Sequence, residues 1–292
     1  MYIFNAGDEI KASEINSNFN ETISYLGDAS DGNVTIDSNT SLSEDKFYDE
    51  LTVDNATLDT NGYRLFANKI TLQNGALLVS NGGDGGDGGG DYEVGDGGVV
   101  AHTSSTLPDS IAGRDGGNDD NDGKDGYNSN GLPIDGVDGG DGYGQTGGVG
   151  GIATKTIILN YILDLFNWIG FRDYIKATAG SGSGAGGVFS GGGGSGAIGG
   201  HMLICAKEIT INTGCYIQAN GGDGGDGGGG SYGAGGGGAG NGGFMGLVYN
   251  SLTNNGTIEA LGGTGGVGGS GDYFTGSPGQ NGNNGTIRYF QV

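Results

Sequence analysis

The sequence predicts an all-β protein: parallel β-helix (solenoid) rungs with packed polyglycine II helices, plus a short N-terminal helix and one amphipathic helix insertion. Three observations carry this prediction. Glycine supplies 73 of the 292 residues, several glycine runs repeat every three residues, and an internal repeat joins short strands to those runs. On this basis the chain divides into five segments: 1–28 for attachment or oligomerisation, 29–80 for solenoid rungs, 81–153 for polyglycine and loops, 154–178 for the amphipathic helix, and 179–292 for further polyglycine and rungs.

The glycine content excludes an ordinary globular core. Glycine in a helix or strand costs roughly 0.5–1 kcal/mol relative to alanine, because more backbone freedom is lost on folding. Uniform disorder is also disfavoured, since the chain has only 3 prolines and its hydrophobic residues, 34% of the total, are clustered. The glycine-rich part must therefore fold by a special kind of packing.

The first segment differs from the rest of the chain. Ile15, Phe19, Ile23 and Leu26 fall on one face of a predicted helix, and Ser13 is its candidate N-cap. Their spacing of four, four and three residues is typical of an oligomeric helix seam. We expect this segment to mediate docking or homo-oligomerisation, with a trimer as the favoured state.

The rungs are predicted from alternation and repetition. Apolar and polar residues alternate in 51–53 and 70–72, and Asn61-Gly62 and Asn74-Gly75 are typical turn dipeptides. Residues 67–87 align with 206–226 without a gap. A looser third copy, 252–271, is one residue shorter between its turn and its glycine run. Such repeats favour a solenoid, because stacking covers an apolar face that one strand pair leaves open.

The Gly-Gly-Xaa runs match the three residues per turn of the polyproline II geometry. Two glycines per turn let neighbouring helices approach closely, while the third residue points outward. Thr264 and Val267 occupy third positions that could face another layer. Four acidic third residues are expected on the edges of the array: Asp84, Asp87, Asp223 and Asp226.

The segment 154–178 carries an apolar face interrupted by a narrow polar stripe, which is typical of an amphipathic helix. The apolar stretch is shorter than the ~20 residues that span a bilayer, and Asp164 lies in its middle. Packing on the solenoid or on a partner subunit is therefore favoured over membrane insertion. The apolar residues are Ile158, Tyr161, Ile162, Leu165, Trp168 and Ile169.

The charge and the motifs point away from several activities. A net charge of −23 disfavours nucleic acid and anionic membranes, and no Sec-type signal is expected after Met1. His102 and His201 lie where no nucleophilic triad is evident, and 182–187 is a glycine pattern without the lysine of a phosphate-binding loop. Glycan hydrolysis would need a pair of carboxylates, and nothing selects one among 34 acidic residues. We expect no enzyme.

Two smaller features concern cysteine and metal. Cys205 and Cys215 flank one strand-like segment and are interpreted as small buried thiols rather than as a disulfide. Asn118, Asp120 and Asp122 alternate as in half of a calcium loop, but Ser129 stands where the bidentate glutamate belongs. Both a weak structural Ca²⁺ site and a solvated acidic loop remain open here, and no other cofactor is expected.

Aromatic residues follow the glycine runs and lie in the loops that interrupt them. Such loops on a rigid scaffold are the expected place for host contact, because tyrosine gives rigid contact area at small entropic cost. The alternative is that these rings only cover the ends of the array. The candidate receptor-binding residues are Tyr92, Tyr127, Tyr232, Tyr273 and Phe274.

Two stretches resemble known phage proteins. Residues 4–20 resemble a short element near the start of many phage tail-fibre and baseplate proteins. The glycine runs with flanking strands such as 199–211 resemble the glycine-rich repeats of phage fibres and bacterial surface proteins. They are also similar to the fibre-tip adhesins of T-even-like phages, which pack polyglycine II helices.

The resemblance implies a structural protein of a tailed-phage virion, made in the host cytoplasm. It would be a tail-fibre or adhesin component that joins other virion proteins through 1–28 and contacts a host surface receptor or glycan. Two alternatives stand beside this expectation: a purely structural fibre or capsid decoration protein without receptor binding, and a glycan-degrading tail protein.

Overall fold

The computed structural model describes residues 28–90, 93–101, 106–107, 110–117, 129–130, 139, 153–154 and 190–291. The regular elements in this part of the chain are strands. The helix predicted in 1–28 lies outside the described residues, apart from Asp28. Thr154 ends a strand, and the rest of the helix predicted over 154–178 also lies outside them.

The described residues contain fifteen strands. In chain order they are β1 (Gly32–Ile36), β2 (Thr40–Ser41), β3 (Lys46–Asp54), β4 (Thr57–Asp59), β5 (Leu65–Gln73), β6 (Leu77–Val79), β7 (Ser129–Asn130), β8 (Ala153–Thr154), β9 (His201–Ile211), β10 (Tyr216–Gln218), β11 (Gly230–Tyr232), β12 (Phe244–Asn254), β13 (Thr257–Glu259), β14 (Gly271–Phe274) and β15 (Thr286–Gln291).

Most of these strands form two parallel sheets. The long-strand sheet has the order β1-β3-β5-β9-β12-β15, and the short-strand sheet has the order β13-β10-β6-β4-β2. Two further pairs, β11-β14 and β7-β8, are also parallel. Each long strand from β1 to β12 is followed by a short strand in the other sheet. The prediction of an all-β protein with parallel strands is thereby confirmed.

The main core consists of side chains from both sheets, stacked in columns of similar residues. Leu51, Ile70 and Ile209 are neighbours on β3, β5 and β9, each at most 1% exposed. Burying such a side chain contributes roughly 1.5–3 kcal/mol relative to leaving it exposed. The matching column on the short-strand sheet is Leu58, Leu78 and Ile217.

A second, smaller apolar cluster involves other side chains of the long strands. Phe47 and Phe66 are register partners on β3 and β5, and their rings stack with centroids 4.9 Å apart. The buried residues of this cluster are Phe66, Leu107, Leu203, Cys205, Phe244 and Val248.

The predicted Asn-Gly turns connect the two sheets and the successive strand pairs. Asn61 and Gly62 have φ values of 47° and 71°, and Asn74 and Gly75 have φ values of 56° and 82°. Asparagine and glycine tolerate this left-handed conformation better than other residues do. Both turn predictions are confirmed.

The internal repeat is also a spatial repeat. Ala67 pairs with Ala206, and Ile70 pairs with Ile209, so the first two copies lie side by side in register. The third copy lies beside the second but is two residues shorter, because Ile209 pairs with Leu252 whereas Ile217 pairs with Ile258. The stretch from the turn glycine to the glycine run, Gly256 to Gly262, is one residue shorter than Gly214 to Gly221, as predicted, and the second missing residue lies before the turn glycine.

The shortening lies in the turn itself. Gly256 stands in the register position of Cys215, immediately before the paired residues Tyr216 and Thr257. A Cβ atom at Gly256 would lie 2.4 Å from the Cys215 carbonyl oxygen and 2.6 Å from the Ile211 side chain. Glycine therefore allows the tighter turn.

Candidate functional site

Glycine runs leave the sheets and return to them, and together they form what we call the glycine array. Runs leave from the ends of the short strands β6, β10 and β13, and later runs re-enter the sheet at the starts of the long strands β9, β12 and β15. The described runs therefore all join the sheets at the same end of the array. The described runs are 80–90, 93–101, 110–117, 190–200, 219–230, 233–243, 260–270 and 275–285.

Backbone hydrogen bonds join these runs with a period of three. The Gly82 N–H donates to the Asn220 carbonyl at 2.9 Å, in a neighbouring parallel run, and the Gly83 N–H donates to the Val99 carbonyl at 2.9 Å, in an antiparallel run. Asp84 is exposed, and the same sequence of bonds then starts again at the next glycine. The three residues of each repeat thus have three different surroundings.

The close approach of the runs leaves no room for side chains at the contact positions. A Cβ atom at Gly222 would lie 2.0 Å from the Gly83 carbonyl oxygen, and one at Gly225 would lie 1.9 Å from the Gly86 carbonyl oxygen. Real Cβ atoms essentially never approach backbone below 3.0 Å. This packing explains why the chain contains so much glycine.

The run 190–200 lies in the interior of the array. Every backbone N–H from Gly191 to Gly200 donates to a neighbouring run, and all of these residues are buried. The third-position residues Ser195 and Ile198 donate to the run 110–117, through the carbonyls of Arg114 and Ile111. An interior run therefore bonds in three directions instead of two.

The outward aspartates of the array also bond between runs. Asp84 Oδ1 accepts the Asp223 N–H at 2.8 Å, and Asp223 Oδ1 accepts the Thr264 N–H at 2.6 Å. Three residues further along, Asp87 Oδ1 accepts the Asp226 N–H, and Asp226 Oδ1 accepts the Val267 N–H. The carboxylates thus satisfy backbone donors that have no carbonyl opposite them.

The predicted positions of the third residues are partly confirmed. The four aspartates Asp84, Asp87, Asp223 and Asp226 are exposed on the outer face, as expected. Thr264 and Val267 are exposed as well, Val267 by 64%. The expectation that these two residues face another layer is wrong, because the run 260–270 continues the same outer face.

Asparagine side chains close one edge of the array. In the run 219–230 the Gly224 N–H donates to a backbone carbonyl of the next run. At the equivalent positions of the run 260–270, Gly265 donates to Asn281 Oδ1 at 2.8 Å and Gly262 donates to Asn284 Oδ1 at 3.2 Å. Side-chain amides therefore occupy the place of a further run.

The end of the array away from the sheets carries aromatic residues, and we call it the aromatic cap. It consists of Gly90, Ser190, β11 and β14, where the runs reverse direction. Gly90 forms an antiparallel bridge with Ser190, and Ser190 Oγ donates to the Tyr232 carbonyl at 2.7 Å. Tyr232 in turn pairs with Phe274 across β11 and β14. Backbone pairing and the Ser190 hydroxyl therefore hold the reversals together.

The rings of the aromatic cap lie next to each other. The centroids of Tyr232 and Tyr273 are 5.6 Å apart and their planes are tilted by 35°. Tyr273 is 78% exposed, whereas Tyr232 and Phe274 are half-buried. Large aromatic surface in water is typical of recognition sites.

The structure thus brings together three of the five predicted receptor-binding residues, Tyr232, Tyr273 and Phe274. Tyr92 and Tyr127 lie outside the described residues. The role of Asn281 and Asn284 was not predicted, although two asparagines three residues apart in a glycine run lie at equivalent positions of the repeat.

Other predicted sites fall outside the described residues. These are the calcium-loop candidates Asn118, Asp120 and Asp122 and the attachment residues Ile15, Phe19, Ile23 and Leu26. Within the described ranges, no group of three or more His, Cys, Asp or Glu side chains is arranged to hold a metal ion.

No helix in the same part of the chain has the length and apolarity needed to cross a membrane.

The two cysteines are free and buried, which confirms their interpretation as small interior thiols. Burial raises the pKa of the Cys205 thiol to about 12, because the charged thiolate would lose its hydration. His201, at the start of β9, is buried as well.

Comparison of the chain with protein-family models, with curated proteins and with solved structures found no match.

Proposed function

We propose that the parallel sheets are the rungs of a β-solenoid and that the glycine runs are packed polyglycine II helices. The period of three in the hydrogen bonds supports this proposal, because that geometry has three residues per turn. Its rise of ~3.1 Å per residue would make a ten-residue run about 30 Å long. The array would then be a stiff arm that carries the aromatic cap at its far end.

We further propose that the protein is a structural component of a tailed-phage virion, a tail-fibre or adhesin subunit that attaches to the host cell surface. The observation that carries this proposal is the position of the aromatic cap. An array of backbone-bonded glycine runs presents few side chains, yet at the end away from the sheets it exposes Tyr273 by 78%. Rigid scaffolds with exposed aromatic tips suit recognition.

The proposed assembly depends on residues 1–28. This segment would dock onto other virion proteins and join copies of the chain, most simply as a trimer. We expect no catalytic activity from this arrangement, and the acidic outer face disfavours nucleic acid as a partner.

Binding to intact bacteria tests the proposal. The labelled full-length chain is incubated with a panel of bacterial strains, and the bound fraction is measured by flow cytometry. We expect saturable binding to a subset of strains, and competition with phage adsorption on those strains. Absence of binding to every strain, together with incorporation into phage particles, would favour the purely structural fibre or decoration protein.

A further inference from the structure

We propose that the aromatic cap binds an uncharged sugar of a host surface glycan, with one face of the sugar ring stacked on Tyr273. This inference rests on the proposed attachment function and names the ligand class of the same site. Three observations support this proposal: the exposed Tyr273 ring packs on Tyr232, the adjoining residue Asp272 is acidic, and polar residues flank Tyr273 in the chain.

The Tyr273 ring is presented in a fixed orientation. Its backbone belongs to β14, which pairs with β11. The centroid of its ring lies 5.6 Å from the centroid of the Tyr232 ring. The other side of the ring faces solvent, since Tyr273 is 78% exposed. A ligand that stacks on this surface would lose little side-chain entropy, because the ring is already held by its neighbour.

The charges near the ring disfavour an anionic ligand. Asp272 precedes Tyr273 in β14 and is exposed. The whole chain carries a net charge of −23. Both the adjoining carboxylate and the net charge repel anions, so the site favours a ligand without negative charge.

Polar residues that flank Tyr273 in the chain fit a ligand rich in hydroxyl groups. The exposed Asp272 carboxylate can accept hydrogen bonds, and the exposed Thr275 hydroxyl can both donate and accept. A sugar ring offers an apolar C–H face together with hydroxyl groups at its rim. An aromatic surface with nearby acceptors and donors matches both parts.

Chemical treatment of the cells separates a glycan from a protein receptor. Cells of a bound strain are treated with periodate, which oxidises vicinal diols of sugars, or with protease. Binding of the full-length chain is then compared for the native protein, Tyr273→Ala, Tyr273→Phe and the control Tyr289→Ala. Tyr289 is 48% exposed but lies on β15, outside the aromatic cap.

We expect periodate to abolish binding and protease to leave it unchanged. Tyr273→Ala should weaken binding at least tenfold, whereas Tyr273→Phe and Tyr289→Ala should bind within about twofold of the native chain. Loss of binding after protease but not after periodate would overturn the sugar inference and leave the attachment function intact. Unchanged binding by Tyr273→Ala would overturn the site. Failure to bind any strain would overturn the attachment function itself.

Discussion

The sheets and the glycine array repeat along the same direction, but different forces hold them together. In the sheets, columns such as Leu51, Ile70 and Ile209 exclude water from an apolar core. In the array, carbonyls and N–H groups of adjacent runs bond directly, and a side chain at a contact position would collide with backbone. One repeat with an offset of 139 residues continues through both regions, as the pairing of Asn220 with Asn81 shows.

We therefore expect substitutions to be tolerated much less in a glycine run than in the short strand that precedes it. A core side chain can lose a methyl group, and its neighbours then relax in part. Backbone cannot move away in the same manner, because each run bonds to several neighbours at once.

Adding one methyl group inside the array should have the largest effect. In Gly225→Ala the new Cβ would lie 1.9 Å from the Gly86 carbonyl oxygen, so two runs would have to separate. We expect loss of soluble folded protein, measured as soluble yield and as the circular dichroism melting curve. Gly90→Ala is the matched control, because its Cβ would lie 3.8 Å from the Gly229 carbonyl oxygen, at ordinary van der Waals distance. Equal melting of both variants would disprove close packing.

Removing a core side chain from the sheets should have a large but smaller effect. Ile70 is fully buried on β5, and Ile70→Ala should lower the free energy of unfolding by about 2–5 kcal/mol, whereas Ile70→Val should lower it by about 0.5–1.5 kcal/mol. Guanidinium unfolding measures both values. The sheets would then lose stability in proportion to the volume removed, whereas the array would lose its fold after the addition of a single methyl group. Similar losses for both Ile70 variants would contradict it.

Removing an outward carboxylate should have a moderate effect. Asp223 Oδ1 accepts the Thr264 N–H at 2.6 Å, so Asp223→Ala should lower the free energy of unfolding by about 1 kcal/mol. Asp223→Asn keeps the acceptor oxygen and should remain closer to the native protein in thermal unfolding. If the asparagine variant is destabilised as much as the alanine variant, the charge matters and not the hydrogen bond.

Opening the edge of the array should have the smallest effect on stability. Asn281→Ala removes the acceptor of the Gly265 N–H, but water can replace it because the edge is exposed. We expect a loss of about 0.5 kcal/mol, together with increased self-association, since unpaired edges recruit other chains. Light scattering measures the association. Gln280→Ala, in the same run and also exposed, is the control and should remain as dispersed as the native chain.

Several features were predictable because they depend on local chemistry. Asn61-Gly62 and Asn74-Gly75 mark turns since few other residues tolerate a positive φ. The repeat predicted the register of β5 and β9, because a shift by one residue would turn Ile70 and its neighbours away from the core. The exposed tyrosine of the aromatic cap was predicted from its position after a glycine run.

Other features could not be predicted from local patterns. Thr264 and Val267 repeat with the period of three, but this period does not tell whether a run is the last on its face. The third copy is one residue shorter after its turn glycine, as predicted, but the register shows a second missing residue before that glycine. Neither point follows from a local pattern, because the number, order and register of neighbours are properties of the assembled structure.

Alternation, turn dipeptides and the period of three are local properties, so the amino-acid sequence alone was enough to predict strands that alternate with glycine runs. Which runs are neighbours, that the run 190–200 is interior, and that Asn281 and Asn284 close an edge became known only from the folded chain. These contacts are not encoded locally because backbone N–H and C=O groups are the same in every residue. A glycine run can bond to any other run, and its partner is fixed by where the strands on either side hold its ends.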